Sequence, residues 1–383
     1  LQRPQWLALV AILLVLPFLT PAADLDKKPA AEVVQQPGGP AWPLFRGSRL
    51  QTGVASSPLP ENLDIRWQLK FKDAVEGTAA IVGGTVYIGC MDEHLYALDL
   101  ATGKQKWAYK AGPFKAPATV RNGLVYAGDC DGLFHCVDAA TGQKRWTFET
   151  GAEISSGANF AGDEVLFGSG DETLYCLDKD GKPRWKFKVP GGPVLASPAV
   201  IGDRTFVAGC DSALHVIDTA TGKELTGVDL GGQTGGTTAV VGEKLYIGTM
   251  SNQVAAVDWK KGQVVWTFEA SRRQQPFFAS AAVSDALVVI GSRDKNLYAL
   301  DRQSGKEVWH FPTEGKVDSS AVIVGRRVYV GSLDRNLYVL DLDKGTELKR
   351  FTLDGPVSGS PAVGENCLVI GTQEGTVYCL GRK

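Results

Sequence analysis

A phrase of about forty residues recurs along this chain, and it constrains the fold more than any other feature. It runs as a β-rich stretch, a glycine, a polar turn, a second β-rich stretch ending in aspartate, a glycine turn and a tryptophan. VYIGCMDEHLYALDLATGKQKW at 86–107 and VVIGSRDKNLYALDRQSGKEVW at 288–309 are two copies. The aspartates fall at Asp99, Asp138, Asp178, Asp218, Asp258, Asp301 and Asp341, and Gly381 stands where an eighth is due. Apolar residues alternate within each stretch, which selects strands over the paired helices of a solenoid. The expected fold is all-β: an eight-bladed β-propeller with four-stranded antiparallel blades.

The innermost strand of each blade is rich in small residues, as in EGTAAI, KAPATV, LASPAV and SGSPAV, which suits convergence on a narrow axis. Eight central hairpins are present but only seven outer strands follow them. The missing one is DIRWQLKF around Trp67. Residues 64–71 are therefore expected to pair with 376–380, complete the last blade and remove two sheet edges. Trp67, Trp107, Trp146, Trp185, Trp266 and Trp309 recur at one place in the phrase and read as docking residues between blades. Leu225 and Leu348 are read as filling the two remaining places.

Before the repeats, Arg3, the apolar run Trp6–Leu19 and the small residues Thr20 to Ala23 form the pattern of an export signal. The run is shorter than the ~20 residues of a bilayer crossing. The expected division is a signal peptide at 1–23, a flexible linker at 24–41, a lead-in at 42–63 and the propeller at 64–383. The destination read from this is the periplasm or cell envelope, with membrane attachment only through an uncleaved N-terminal segment. A formal net charge of −2 gives no footing for a nucleic-acid partner, and the propeller is expected to be monomeric.

LYALDLATGKQKW and its copies resemble the repeats of pyrroloquinoline-quinone-type propellers over about 64–383. WPLFRG at 42–47, followed by Thr52 and Gly53, resembles the lead-in of exported bacterial members of that group. Two branches compete within the resemblance. The quinoprotein alcohol dehydrogenases imply a quinone and Ca²⁺ in the central funnel, with adjacent cysteines in a disulfide ring against the cofactor. The BamB-like outer-membrane assembly scaffolds imply no catalysis and a protein partner in an envelope complex.

The residues favour the second branch. No two of Cys90, Cys130, Cys136, Cys176, Cys210, Cys367 and Cys379 are adjacent. Cys136, Cys176 and Cys379 share a slot with small apolar residues and read as buried thiols, while Cys367 and Cys379 could face each other across one hairpin, with a disulfide between them as the lesser alternative. His135 and His215 replace a repeat tyrosine, and no metal-ligand spacing appears. No catalytic, cofactor-binding or metal residue is therefore assigned. Two features remain. The polar turns carry Asp92, Asp131, Asp171, Asp211, Asp294, Asp334 and Glu374, with Asn252 in the fifth blade: either turn chemistry or an acidic rim that selects a basic partner or weakly collects Ca²⁺. The period lengthens by three residues near EASRRQQPFFAS. There Arg272, Arg273, Gln274, Gln275, Phe277 and Phe278 form a candidate partner-binding loop. The favoured expectation is an exported protein-binding or envelope scaffold without cofactor. A quinone-dependent oxidoreductase and a polysaccharide- or peptide-binding module are the alternatives.

Overall fold

The computed structural model describes residues 40–271 and 273–382. The expected signal peptide, nearly all of the expected linker, and Arg272 lie outside the described residues. Eight four-stranded antiparallel sheets are arranged in chain order. Blade 1 consists of an inner strand Ala80–Val82, a second strand Thr85–Cys90, a third His94–Asp99 and an outer strand Gln105–Lys110. The inner strands of all eight blades span only two or three residues, whereas the outer ones span six or seven.

Blade 8 joins the two ends of the repeat region. Its outer strand is Asp64–Lys70, which pairs with Thr376–Gly381, setting Asp64 against Gly381 and Lys70 against Thr376. The ladder that other blades make by local return is made here between segments some three hundred residues apart.

Each tryptophan of the series crosses to the next blade. The indole N–H of Trp67 donates to Leu100 O at 2.9 Å, that of Trp107 to Ala139 O at 2.9 Å and that of Trp309 to Leu342 O at 2.9 Å. The ring lies flat on the glycine of the receiving turn. A Cβ on Gly103 would stand 2.7 Å from Trp67, and one on Gly345 2.5 Å from Trp309. Both glycines also hold φ near +70°, so the Asp-x-x-x-Gly turn serves the docking as well as the chain reversal.

The register corrects one expectation. Every outer strand carries a β-bulge one residue before the docking position. In blade 1, Trp107 opposes Ala97 and Gln105 opposes Leu98, so Lys106 has no opposite number. In blade 4 the residue opposing Val216 is Thr226, and in blade 7 the residue opposing Val339 is Lys349. Thr226 and Lys349, not Leu225 and Leu348, therefore hold the docking position. The two leucines are bulge residues and point out. Lys349 still reaches the next blade, donating to Leu63 O at 2.6 Å.

Candidate functional site

One face of the ring carries the polar turns between second and third strands, together with the connections from each outer strand to the next blade. In all eight blades the third turn residue is left-handed: Gly132 and Gly375 in two, and Glu93, Glu172, Ser212, Asn252, Lys295 and Arg335 in six. The acids beside them turn inward. Tyr96 donates to Asp92 at 2.9 Å, Tyr175 to Asp171 at 2.6 Å, Tyr298 to Asp294 at 2.5 Å and Tyr338 to Asp334 at 2.9 Å. Burial pushes the carboxyls of Asp171 and Asp334 up, but the donated hydrogen bonds outweigh it and leave both below their ordinary value. His215 takes the tyrosine's part toward Asp211 at 2.8 Å. In blade 2, His135 instead meets Asp129 at 2.8 Å, and Asp131 is left exposed. Glu374 is exposed too.

The longer connection is divided by the structure. Asn252 ties its two ends, donating to Ala270 O at 2.8 Å and accepting from the Gln275 N–H at 3.3 Å. Arg273, Gln274 and Gln275 are exposed. Phe277 is fully buried. Its N–H donates to Thr249 O at 3.0 Å and its side chain covers Gly248. Val317 and Val357 do the same over Gly291 and Gly331. Phe277 is thus a repeat core position that the sequence reading placed on the surface. Phe278 stands half-buried beneath Arg293, whose guanidinium lies 4.0 Å from the ring centroid and grips Asp318 at 2.8 and 2.9 Å.

The lead-in closes the opposite end of the axis. Its backbone carbonyls accept from one inner strand after another: Trp42 from Ile81, Pro43 from Val120, Arg49 from Val200, Leu50 from Val240, Thr52 from Val283 and Gly53 from Ile323. Asn159 donates to Arg49 O at 2.9 Å, and Ser57 Oγ accepts from the Asn366 N–H at 2.8 Å. All eight blades are engaged. Arg46 is fully buried on the axis, where it donates to the carbonyls of Ser320 at 3.1 Å, Ala281 at 3.1 Å and Ala321 at 2.6 Å. Burial pulls its pKa down to about 9. Gly47 and Gly53 are both left-handed, and each lies where a Cβ would strike Trp42 or Arg46. That accounts for the WPLFRG…TG spacing. Sequence reasoning saw the motif but not this work, because its partners lie up to 275 residues away.

A quinone with Ca²⁺ on the axis would need free carboxylates beside the inner strands on the face that carries the polar turns. Glu76 there is 3.6 Å from Lys115, and Asp318 is held by Arg293. Each acid already faces a cation from a neighbouring blade. All seven cysteines are free thiols. Cys379 opposes Val369, and Cys367 accepts from Arg66 at 3.1 Å. These residues do not fit the quinone–Ca²⁺ pair. Among the described residues no group of three His, Cys, Asp or Glu side chains is placed to hold a metal.

The model of the family "Outer membrane protein assembly factor BamB" matches residues 64–135, 130–275 and 210–348. The chain is 25% identical over 130 residues to the protein of that name from Nitrosomonas eutropha, covering 34% of this chain and 31% of the relative. It thus spans about a third of that relative's length. The crystal structure of BamB from Moraxella catarrhalis superposes with a TM-score of 0.72 at 22% identity, over 84% of this chain and 98% of that one. A europium-containing methanol dehydrogenase superposes with a TM-score of 0.73 at 14% identity, over 90% and 98%. Both structural likenesses speak for the fold alone.

Proposed function

The chain belongs to the family of outer membrane protein assembly factor BamB, and on that premise we propose that it is a non-catalytic, exported scaffold that binds a protein of the cell envelope. The supporting observation is how the polar side chains are used. Tyr–Asp and His–Asp pairs, Arg46 and the Arg293–Asp318 pair hold blades and axis together. No nucleophile is left beside a free base among them. Function on such a frame resides in what its surface presents.

The loop face presents Arg273, Gln274 and Gln275 on the one lengthened connection, next to the Phe278–Arg293 stack. A protein partner engaging this loop would meet an exposed arginine beside an aromatic ring on a rigid support. The test is capture from the native envelope with the tagged full chain and with a variant bearing Arg273→Ala, Gln274→Ala and Gln275→Ala. Outer-membrane assembly components should be recovered with the first and depleted with the second. Equal recovery would place the partner elsewhere on the ring. Stoichiometric quinone uptake with substrate-dependent dye reduction would overturn the scaffold reading.

A further inference from the structure

Blades 3 and 8 share one arrangement of side chains at the start of the second strand, with one member exchanged. In blade 3 the bulge residue Arg184 pairs with Glu164 at 3.2 Å, and the Cys176 thiol donates to the same carboxylate at 3.6 Å. Leu166 opposes Cys176 there, as Val369 opposes Cys379 in blade 8. That register sets Arg66 in the place of Arg184, Cys379 in the place of Cys176 and Cys367 in the place of Glu164. A second cysteine thus stands where blade 3 has a carboxylate.

The surroundings of Cys367 are those of an anion. The Arg66 guanidinium donates to its Sγ at 3.1 Å, and the Cys379 thiol donates to the same sulfur. In blades 1 and 2 the bulge cation serves the aspartate that ends the third strand, Asp99 or Asp138. Gly381 takes that place in blade 8. A Cβ on Gly381 would lie 2.7 Å from Arg66 Cδ and 3.3 Å from Cys367 Sγ. The missing side chain is what lets the arginine cross to the sulfur.

Charge separates this thiol from the other six. The bond from Cys379 and the nearby Arg66 hold Cys367 down to about 6, against burial and the charge of Glu365. Burial pushes Cys90 and Cys136 up to about 12 and raises Cys130, Cys176 and Cys210 as well. Cys379 is raised too, first by its bond to Cys367. One sulfur of the pair therefore holds the negative charge and the other the proton.

A thiolate next to a second thiol is the arrangement that oxidises reversibly. Cys367 is only 1% exposed, which restricts the oxidant to a small one. We infer that Cys367 and Cys379 form a dithiol that reacts with hydrogen peroxide, with Arg66 as the positioning residue for the attacking sulfur. The Cys367 thiolate attacks one peroxide oxygen, the O–O bond breaks, and the departing hydroxide takes a proton from solvent to become water. The Cys379 sulfur then attacks the Cys367 sulfenic acid. The S–S bond forms, the S–O bond breaks, and the leaving hydroxide takes the Cys379 proton as a second water. Peroxide gains two electrons and the two thiols lose two. The disulfide carries no charge, so Arg66 loses its anionic acceptor and the closing strand Asp64–Lys70 loses one tie to its blade. This site is separate from the 273–275 loop and goes beyond the scaffold function proposed above.

The test uses the purified, reduced full chain. Stoichiometric hydrogen peroxide should remove two hydrogens per chain, and peptide mapping without reductant should place the cross-link between Cys367 and Cys379. Brief iodoacetamide labelling of the reduced chain should modify Cys367 ahead of the other six cysteines, with a rate that rises through a midpoint near pH 6. Arg66→Ala should slow the oxidation ~10-fold or more, and Arg66→Lys should restore most of the rate. Cys379→Val copies Val339, the residue of that slot in blade 7. With it the reaction should stop at the sulfenic acid, which dimedone traps. Arg273→Ala should leave every rate unchanged, which separates failure here from failure of the loop reading. A labelling midpoint at the ordinary ~8.5 would overturn the inference on the wild-type chain alone. So would a cross-link between other cysteines, or oxidation that a folded Arg66→Ala variant undergoes at the wild-type rate.

Discussion

Ser197, Thr237, Ser280, Ser320 and Ser360 stand at one repeat position beside the axis, and each hydroxyl accepts the N–H of that position in the preceding blade, at 2.8 to 3.0 Å. Arg145, Arg184, Leu225 and Val265 also stand at one repeat position, on the rim, yet differ in charge, partner and polarity. The difference is one of constraint. At the position beside the axis a hydroxyl closes a bond to the preceding blade in five of the eight blades, and a buried donor left open there costs ~1–3 kcal/mol. At the rim the bulge places one side chain per blade outside the ladder, where substitution costs little. Repetition thus fixes the frame at the axis and leaves the rim free to carry different surfaces on different blades.

The comparison breaks most visibly if the frame can lose its closing pieces. A chain beginning at Asp73 lacks both the lead-in and the strand Asp64–Lys70, and should lose cooperative unfolding altogether, read by near-ultraviolet circular dichroism during melting. A monomer with unchanged melting would show that the axis is not what holds the ring. Single substitutions come next. Trp309→Ala removes a buried ring docked on Gly345 and should cost ~3–5 kcal/mol. Arg46→Ala leaves three buried carbonyls without their donor and should cost ~3 kcal/mol or more in denaturant unfolding. Val308→Arg, one residue from Trp309, should fall within ~0.5 kcal/mol of wild type. Similar costs at 308 and 309 would erase the distinction between frame and rim.

The smallest effect is electrostatic. Arg145, together with Thr141, holds the Asp138 carboxyl down to about 2. Because its folded value lies below the ordinary ~3.9, its contribution to stability is present above that value and lost as the pH falls toward 2. Arg145→Leu, which copies the bulge residue of blade 4 into blade 2, should raise the Asp138 pKa toward the ordinary range, as followed by carboxyl NMR titration. An unmoved titration would mean that the turn alone, through Thr141, sets that value.

Much of the frame was legible in the repeat. The period, the closing strand and the tryptophan series follow from alternation and from counting strands, which depend on local chemistry. The bulge was not legible. It recurs in every blade, so it leaves the spacing along the chain unchanged: each tryptophan that follows a turn glycine stands four residues after it, as Trp107 after Gly103 and Trp309 after Gly305, and the same count selects Thr226 and Lys349, with Leu225 and Leu348 one position short. Phe277 misled for a related reason: the inserted residues lie before it, so a core position appeared to belong to an exposed loop. The inward turn of the acids was only half visible, since Asp and Tyr four apart in a hairpin can pair or diverge according to twist.

The lead-in is made first and satisfied last. It leaves the ribosome before any of its eight partners exists, and the bonds of Arg46 to blades 6 and 7 span 235 to 275 residues. Contacts of that separation form late in folding. The segment between Trp42 and Ser57 therefore works as a tally of blades. Its groups meet the blades in chain order, with Arg49 O serving blades 3 and 4 together and Ser57 the turn of blade 8, and a ring that had skipped, swapped or gained a blade would meet the segment out of step and leave Arg46 with no cradle.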